Sequence, residues 1–217
     1  MSRIGRISGA NFNFMPYREL KSYQQATAVY DLTVEFCARY INPKSRTTDQ
    51  MEQAARSGKQ NIVEGTAVSK TWPQNELKLL GVARGSLGEL LEDYLDFLRQ
   101  RGLSIWTKED ARAQTVRAIV KSSDMVSKTN KTNTTYKTYK LYLDDPERAA
   151  NMLTTLINQT NYLLDRQMDS IRKQLQAKGV DIETRAQKLA RVLAERKKEE
   201  QKADSWARAQ IKTRIKN

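Results

Sequence analysis

Only four of the 217 residues are proline, and these four, Pro16, Pro43, Pro73 and Pro146, fall where long apolar rows begin or end. Proline cannot continue a helix and holds the residue before it extended, yet it is welcome in a first turn. Glycine is also scarce, at nine residues. So few breakers suit long helices and argue against a β-rich fold. The leader, 1–16, ends at Pro16. From Tyr17, the residues Leu20, Tyr23, Thr27, Tyr30, Val34, Cys37 and Ile41 recur in steps of three and four, which places them on one helical stripe that stops at Asn42-Pro43. A second helix opens at 47-TTDQ-50, with Thr47 or Thr48 as N-cap and Met51, Ala55, Gly58 and Ile62 as its stripe. Gly65 is its natural C-terminal glycine. The third helix runs from near Pro73 to Gly102 on Leu79, Ala83, Leu87, Leu90, Tyr94 and Phe97. A fourth long helix starts near Pro146 and carries Met152, Leu156, Thr160, Leu163, Gln167, Ile171 and Leu175. The fold class expected is all-α, an up-down four-helix bundle over 17–178, with an insertion before the last helix and a basic helical extension over 179–217.

The stretch 54-AARSGKQNIVEG-65 contains the Ser-Gly-Lys of many phosphate-binding loops. That motif needs a glycine five residues before its Gly-Lys and a Ser or Thr after the lysine. Here Gln53 and Gln60 stand at those places, and no strand precedes them. The stretch reads as helix, with Gly58 on its inward face. The third helix holds Gly81, Gly85 and Gly88. Each interior glycine costs about 0.8–1 kcal/mol relative to alanine, so three together require a reason. The expected reason is close approach of another helix, with Gly58 as the opposite number. Asn61 and Glu64 are expected to bond to Arg84 and Ser86 across that contact.

The insertion spans about 107–146. Its first part, 107–126, carries a short helical pattern through Ala111, Val116, Ile119 and Val120. Its second part, 127-SKTNKTNTTYKTYKLYLDDP-146, has no apolar stripe, and both a solvated loop and a pair of short strands fit it. After Gly179 a weak stripe of Ile182, Ala186, Leu189 and Leu193 gives way to charge.

That charge points to a partner. The chain carries a net charge of +13. Residues 177–217 hold 12 Lys/Arg and 6 Asp/Glu, a net of +6, so under a fifth of the chain carries nearly half of the excess. A balance this basic favours a polyanion, nucleic acid first. The chain has no histidine, which removes the commonest general base near neutral pH and the commonest metal ligand. One cysteine, Cys37, can form neither an internal disulfide nor a zinc cluster. Carboxylate neighbours such as Glu89 with Glu92 and Asp93, or Asp144 with Asp145, have the spacing of solvated helix faces and turns. No cofactor and no enzyme activity are expected. The N-terminus lacks an apolar run of signal-peptide length and no stretch is long enough to span a membrane, so a cytoplasmic protein is expected.

Three segments, 17-YRELKSYQQATAVYDLTVEFC-37, 53-QAARSGKQNIVEG-65 and 79-LLGVARGSLGELLEDYLDFL-98, resemble, in that order, the bacterial four-helix-bundle family encoded within intervening sequences of large-subunit rRNA genes. The segment 149-AANMLTTLINQTNYLLDRQ-167 and its continuation resemble a subgroup with a C-terminal suffix extension. This chain departs from the family where Ser57-Gly58-Lys59-Gln60 replaces a Ser-Ile-Pro type sequence, and in its late fourth helix. The family is similar to the accessory protein of diversity-generating retroelements, a barrel-shaped pentamer that partners a reverse transcriptase and binds nucleic acid. The resemblance therefore implies a homo-oligomer, a pentamer, without assigned enzyme activity.

The function expected is a non-enzymatic nucleic-acid-binding accessory protein of low sequence specificity, serving a reverse transcriptase or another nucleic-acid enzyme. The candidate contacts on the helices are Arg56, Lys59 and Arg84, with Arg84 placed to grip a phosphate in bidentate fashion if it points outward. In the insertion they are Lys137 and Lys140, where lysine beside tyrosine suits single-stranded nucleic acid. In the extension they are Arg185, Lys188, Arg191, Arg196, Lys197, Lys198, Arg208, Lys212 and Arg214. The alternative is an oligomeric scaffold whose basic tail docks on an acidic protein. A membrane partner ranks last, because Trp206, Ile211 and Ile215 make only a sparse apolar face. Apolar residues outside the inward stripes, such as Val29, Val63 and Leu91, also suit an oligomer.

Overall fold

The structure is a computed structural model that describes residues 16–69, 71–123, 138–180, 189–190 and 192–201. Among them there are helices and no strand. After a short 3-10 turn, Pro16–Glu19, come α1 (Lys21–Tyr40), α2 (Arg46–Val68), α3 (Pro73–Gln100), α4 (Ala111–Ser123) and α5 (Pro146–Ala177). The chain divides into two compact units, Met1–Arg172 and Lys173–Asn217.

The proline positions mark the elements as expected, with Pro73 and Pro146 each opening a helix. The face of α1 differs. Its buried residues are Ser22, Gln25, Ala26, Val29, Leu32, Thr33, Phe36 and Cys37, so the inward stripe is turned by about a residue from the one expected. Val34 is exposed, and Tyr23, Thr27, Tyr30 and Ile41 are only partly covered. Phe36 decides the rotation. Its ring meets Tyr94 and Phe97 of α3 edge-on, each at 4.9 Å between centroids. Such aromatic pairs contribute about 0.5–1.5 kcal/mol beyond their burial. Val29, expected outside the stripe, is fully buried, whereas Val63 and Leu91 are half-covered.

Pairwise contacts set the directions of the long helices. Cys37 of α1 lies 3.9 Å from Met51 of α2, sulfur to sulfur. The Tyr94 hydroxyl of α3 donates to Thr33 Oγ1 of α1 at 3.0 Å, so the buried phenol keeps a partner. Ser22 Oγ donates to Gln167 Oε1 at 2.9 Å, and Gln25 Nε2 donates to the Leu156 carbonyl at 3.2 Å. These contacts run α1 antiparallel to α5. Ser57 and Ser86 meet at 3.0 Å, while Gly65 lies against Glu76, so α2 runs antiparallel to α3.

The glycine expectation is corrected. A Cβ on Gly58 would sit 2.7 Å from Leu87 Cγ, so Gly58 is where α2 and α3 approach closely. A Cβ on Gly81, Gly85 or Gly88 would meet nothing within 4 Å among the described atoms. Those three face away from α2, because the 3.6-residue period puts them opposite Ala83, Leu87 and Leu90. Gly65 ends nothing: α2 runs on to Val68. The N-cap of α2 is Ser45, whose side chain accepts from the Thr47 N–H, rather than Thr47 or Thr48. Helices α3 and α5 end alike. Gly102 and Gly179 take φ of 62° and 71°, and the residue after each donates its N–H back along the helix, Leu103 to the Leu98 carbonyl and Val180 to the Leu175 carbonyl. That bond satisfies carbonyls that a helix end leaves open.

In the insertion, α4 buries Ala113 and Val116, while Ala111 is exposed. Residues 138–140 form a helical turn, so this part of the predicted loop-or-strands segment is neither; Tyr139 and Leu143 are buried there. Residues 124–137 lie outside the described residues. Asn151, fully buried on α5, ties the α3–α4 connection down. Its Oδ1 accepts from the Trp106 N–H at 2.7 Å, and its Nδ2 donates to the Ser104 carbonyl at 2.8 Å. The Arg112 guanidinium lies over the Trp106 ring at 4.7 Å.

In the second unit, residues 192–201 are helical and every one is exposed.

Candidate nucleic-acid interface

Seven of the fourteen expected contact residues are described: Arg56, Lys59, Arg84, Lys140, Arg196, Lys197 and Lys198. The other seven, Lys137, Arg185, Lys188, Arg191, Arg208, Lys212 and Arg214, lie outside the described residues.

Arg84 points outward from α3, but its Nε donates to Asp165 Oδ1 of α5 at 2.6 Å. Both side chains are about half exposed, at 50% and 45%, so the pair contributes about 0–1 kcal/mol. A phosphate would have to displace Asp165. The expected bonds from Asn61 and Glu64 to Arg84 and Ser86 are absent. Asn61 turns back to the Ser57 carbonyl at 2.9 Å, Glu64 is exposed, and it is Ser57 that reaches Ser86. An asparagine side chain is short enough to bond its own helix four residues back, and here that contact wins.

Lys59 sits over the Tyr30 ring, its Nζ 4.1 Å from the centroid. Nearby, burial holds the Asp31 carboxyl above its ordinary value, partly offset by the Lys59 charge. Arg56 is exposed beside a cleft between α2 and α3. Four carboxylates, Asp49, Glu52, Glu89 and Asp93, line this cleft against two guanidiniums, Arg46 and Arg56. None of the six has an ion pair among the described residues. Burial raises the Asp93 carboxyl, and the Asp96 and Glu89 charges raise it further. With carboxylates outnumbering guanidiniums four to two, this lining does not favour a phosphate. Arg56, Lys59 and Arg84 are therefore not gathered into one anion site: each has a separate neighbourhood, and two of them are engaged by other side chains.

Lys140 belongs to a network. Its Nζ lies 3.0 Å from Glu35 Oε2, while Arg39 reaches Glu35 at 2.6 Å and Asp144 at 3.2 Å. Burial alone would raise the Glu35 carboxyl, but hydrogen bonds from Lys140 and Arg39 outweigh it and leave it below its ordinary value. Arg39 also donates to the Leu143 carbonyl at 2.9 Å, and the Tyr40 hydroxyl donates to the same carbonyl. The network fastens the segment before α5 to the end of α1. Sequence reading missed Glu35, Arg39 and this use of Asp144. Only the i,i+4 spacing of Glu35 and Arg39 signalled part of it.

The extension is different. Lys197 and Lys198 are exposed and have no ion pair among the described residues. Arg196 approaches Glu200 at 3.7 Å with its side chain 76% exposed. Such an exposed pair opens at little cost. Among the described expected contacts, Arg56, Lys197 and Lys198 are exposed without an ion pair, and of these only Arg56 stands beside the acidic cleft.

The acidic cleft was also missed. Its signal was the i,i+3 spacing of Asp49 and Glu52 and the i,i+4 spacing of Glu89 and Asp93, on helices whose pairing the spacing does not state. Among the described residues no group of three or more histidine, cysteine or acidic side chains is placed to hold a metal ion, and no helix is long and apolar enough to cross a membrane. Comparison with protein-family models, curated proteins and solved structures finds no match for this chain.

Proposed function

We propose that the chain is a non-enzymatic, nucleic-acid-binding accessory protein of the cytoplasm: a four-helix bundle of α1, α2, α3 and α5 that assembles as a homo-oligomer, a pentamer, and engages RNA or DNA through its basic C-terminal extension. The observation that carries this reading is the contrast in ion pairing. In a chain of net charge +13, the first unit's Arg84 and Lys140 are paired with carboxylates and its unpaired Arg56 stands beside an acidic cleft, whereas Lys197 and Lys198 stand exposed without a carboxylate partner among the described residues. Free cations release counterions on meeting phosphates; paired ones must first break a bond. Phosphate contacts position a protein without reading sequence, so base selectivity is low.

The resemblance of the three helical segments supports the bundle and the pentamer, and with them a reverse transcriptase or another nucleic-acid enzyme as partner. The outer face of α3 adds support for assembly. Gly81, Gly85 and Gly88 leave room for a helix of a second copy, with Val82 exposed beside them. Five copies would present five extensions, and engaging several at once multiplies modest contacts.

The test is to stop the chain at Lys178. Retained helical signal and oligomer size, with binding to a mixed-sequence RNA or DNA reduced about tenfold or more and a shallower salt slope, are the expected results. Unchanged affinity and slope would overturn the assignment to the extension. A monomer by light scattering of the full chain would overturn the oligomer, and a dimer the pentamer.

A further inference from the structure

We draw no further inference here: the strongest candidate, the cleft between α2 and α3 whose carboxylates Asp49, Glu52, Glu89 and Asp93 lack ion pairs among the described residues, is a cluster of acidic side chains with nothing in the structure to show what fills it.

Discussion

Residues 149–157 and residues 192–201 are both helical, and their surroundings are opposite. Every residue from Ala149 to Ile157 is buried, polar ones included; every residue from Val192 to Gln201 is exposed, apolar ones included. In the first stretch Asn151, Thr154 and Thr155 are tolerated because each has a partner. Thr154 and Thr155 both donate to the Asn151 carbonyl, at 2.8 and 2.9 Å, and the Asn151 amide donates to the Glu147 and Ser104 carbonyls. In the second stretch Val192 and Leu193 are 54% and 56% exposed. Helical periodicity is thus common to both, while burial belongs to one. A helix without a covered face draws stability from propensity and from pairs such as Arg196–Glu200, which contribute only about 0.2–0.5 kcal/mol each.

The sharpest way to break this comparison is the same truncation in both stretches. Leu153→Ala should destabilise by about 2–5 kcal/mol, because it removes buried packing and leaves a cavity. Leu193→Ala should fall within about 0.5 kcal/mol of the parent in urea unfolding. A destabilisation above about 1 kcal/mol at Leu193 would mean that the full assembly covers it.

Cys37 reports on the buried side chemically. Burial, helped by the Glu52 and Asp93 charges, pushes its thiol up to about 12. From an ordinary value of 9.0, that lowers the thiolate fraction near neutral pH roughly a thousandfold. Alkylation of the native protein should therefore track unfolding. The sign for stability follows from the raised value. The folded state holds the proton more tightly, so the thiol opposes folding only as pH rises above 9.0 toward about 12, where unfolding becomes easier. Rapid native alkylation near pH 8 would contradict the buried placement.

Charge provides the next contrast. Neutralising Arg196, Lys197 and Lys198 together to Gln should weaken nucleic-acid binding about fivefold and lower the salt slope by about 0.7–0.9 log units per decade for each phosphate no longer neutralised. Arg84→Gln should leave both quantities unchanged. The reverse result would move the interface to α3.

The smallest effect separates two glycines. Gly85→Ala should stabilise the folded chain by up to about 1 kcal/mol, since a Cβ there meets open space and alanine is the better helix former. Gly58→Ala gains the same propensity but drives a Cβ into Leu87, and overpacking of that kind costs about 1–3 kcal/mol. It should come out neutral to destabilising by thermal unfolding. Should Gly85→Ala reduce oligomer size while the helical signal holds, the outer face of α3 is an interface between copies.

Much of the candidate interface is legible in the sequence only as charge. Lys197 and Lys198 stand out there because cations crowd the end of the chain, and the structure leaves both exposed. Arg84 stands out as a guanidinium on a helix and Lys140 as a lysine beside tyrosines, and Asp165 and Glu35 engage them across gaps of 81 and 105 residues in sequence. No local pattern states such a pairing. The buried face of α1 is misplaced by its spacing for a related reason. Its residues carry apolar side chains around much of the helix, so spacing alone permits several stripes, and the rings of Tyr94 and Phe97 select the one containing Phe36.

What the sequence by itself determined was the helical character of the described residues and the starts of α3 and α5. Proline geometry and the 3.6-residue period act within a few residues and leave a direct mark on the chain. It also determined the concentration of positive charge after Gly179, which is a matter of counting. Tertiary structure alone decided which glycine is tightly packed, which cations are neutralised and which carboxylates gather between α2 and α3. Those outcomes depend on distances between residues far apart in the chain. Gly58 and Gly85 stand in the same kind of helical context, and only the position of Leu87 against one of them makes a methyl group costly there.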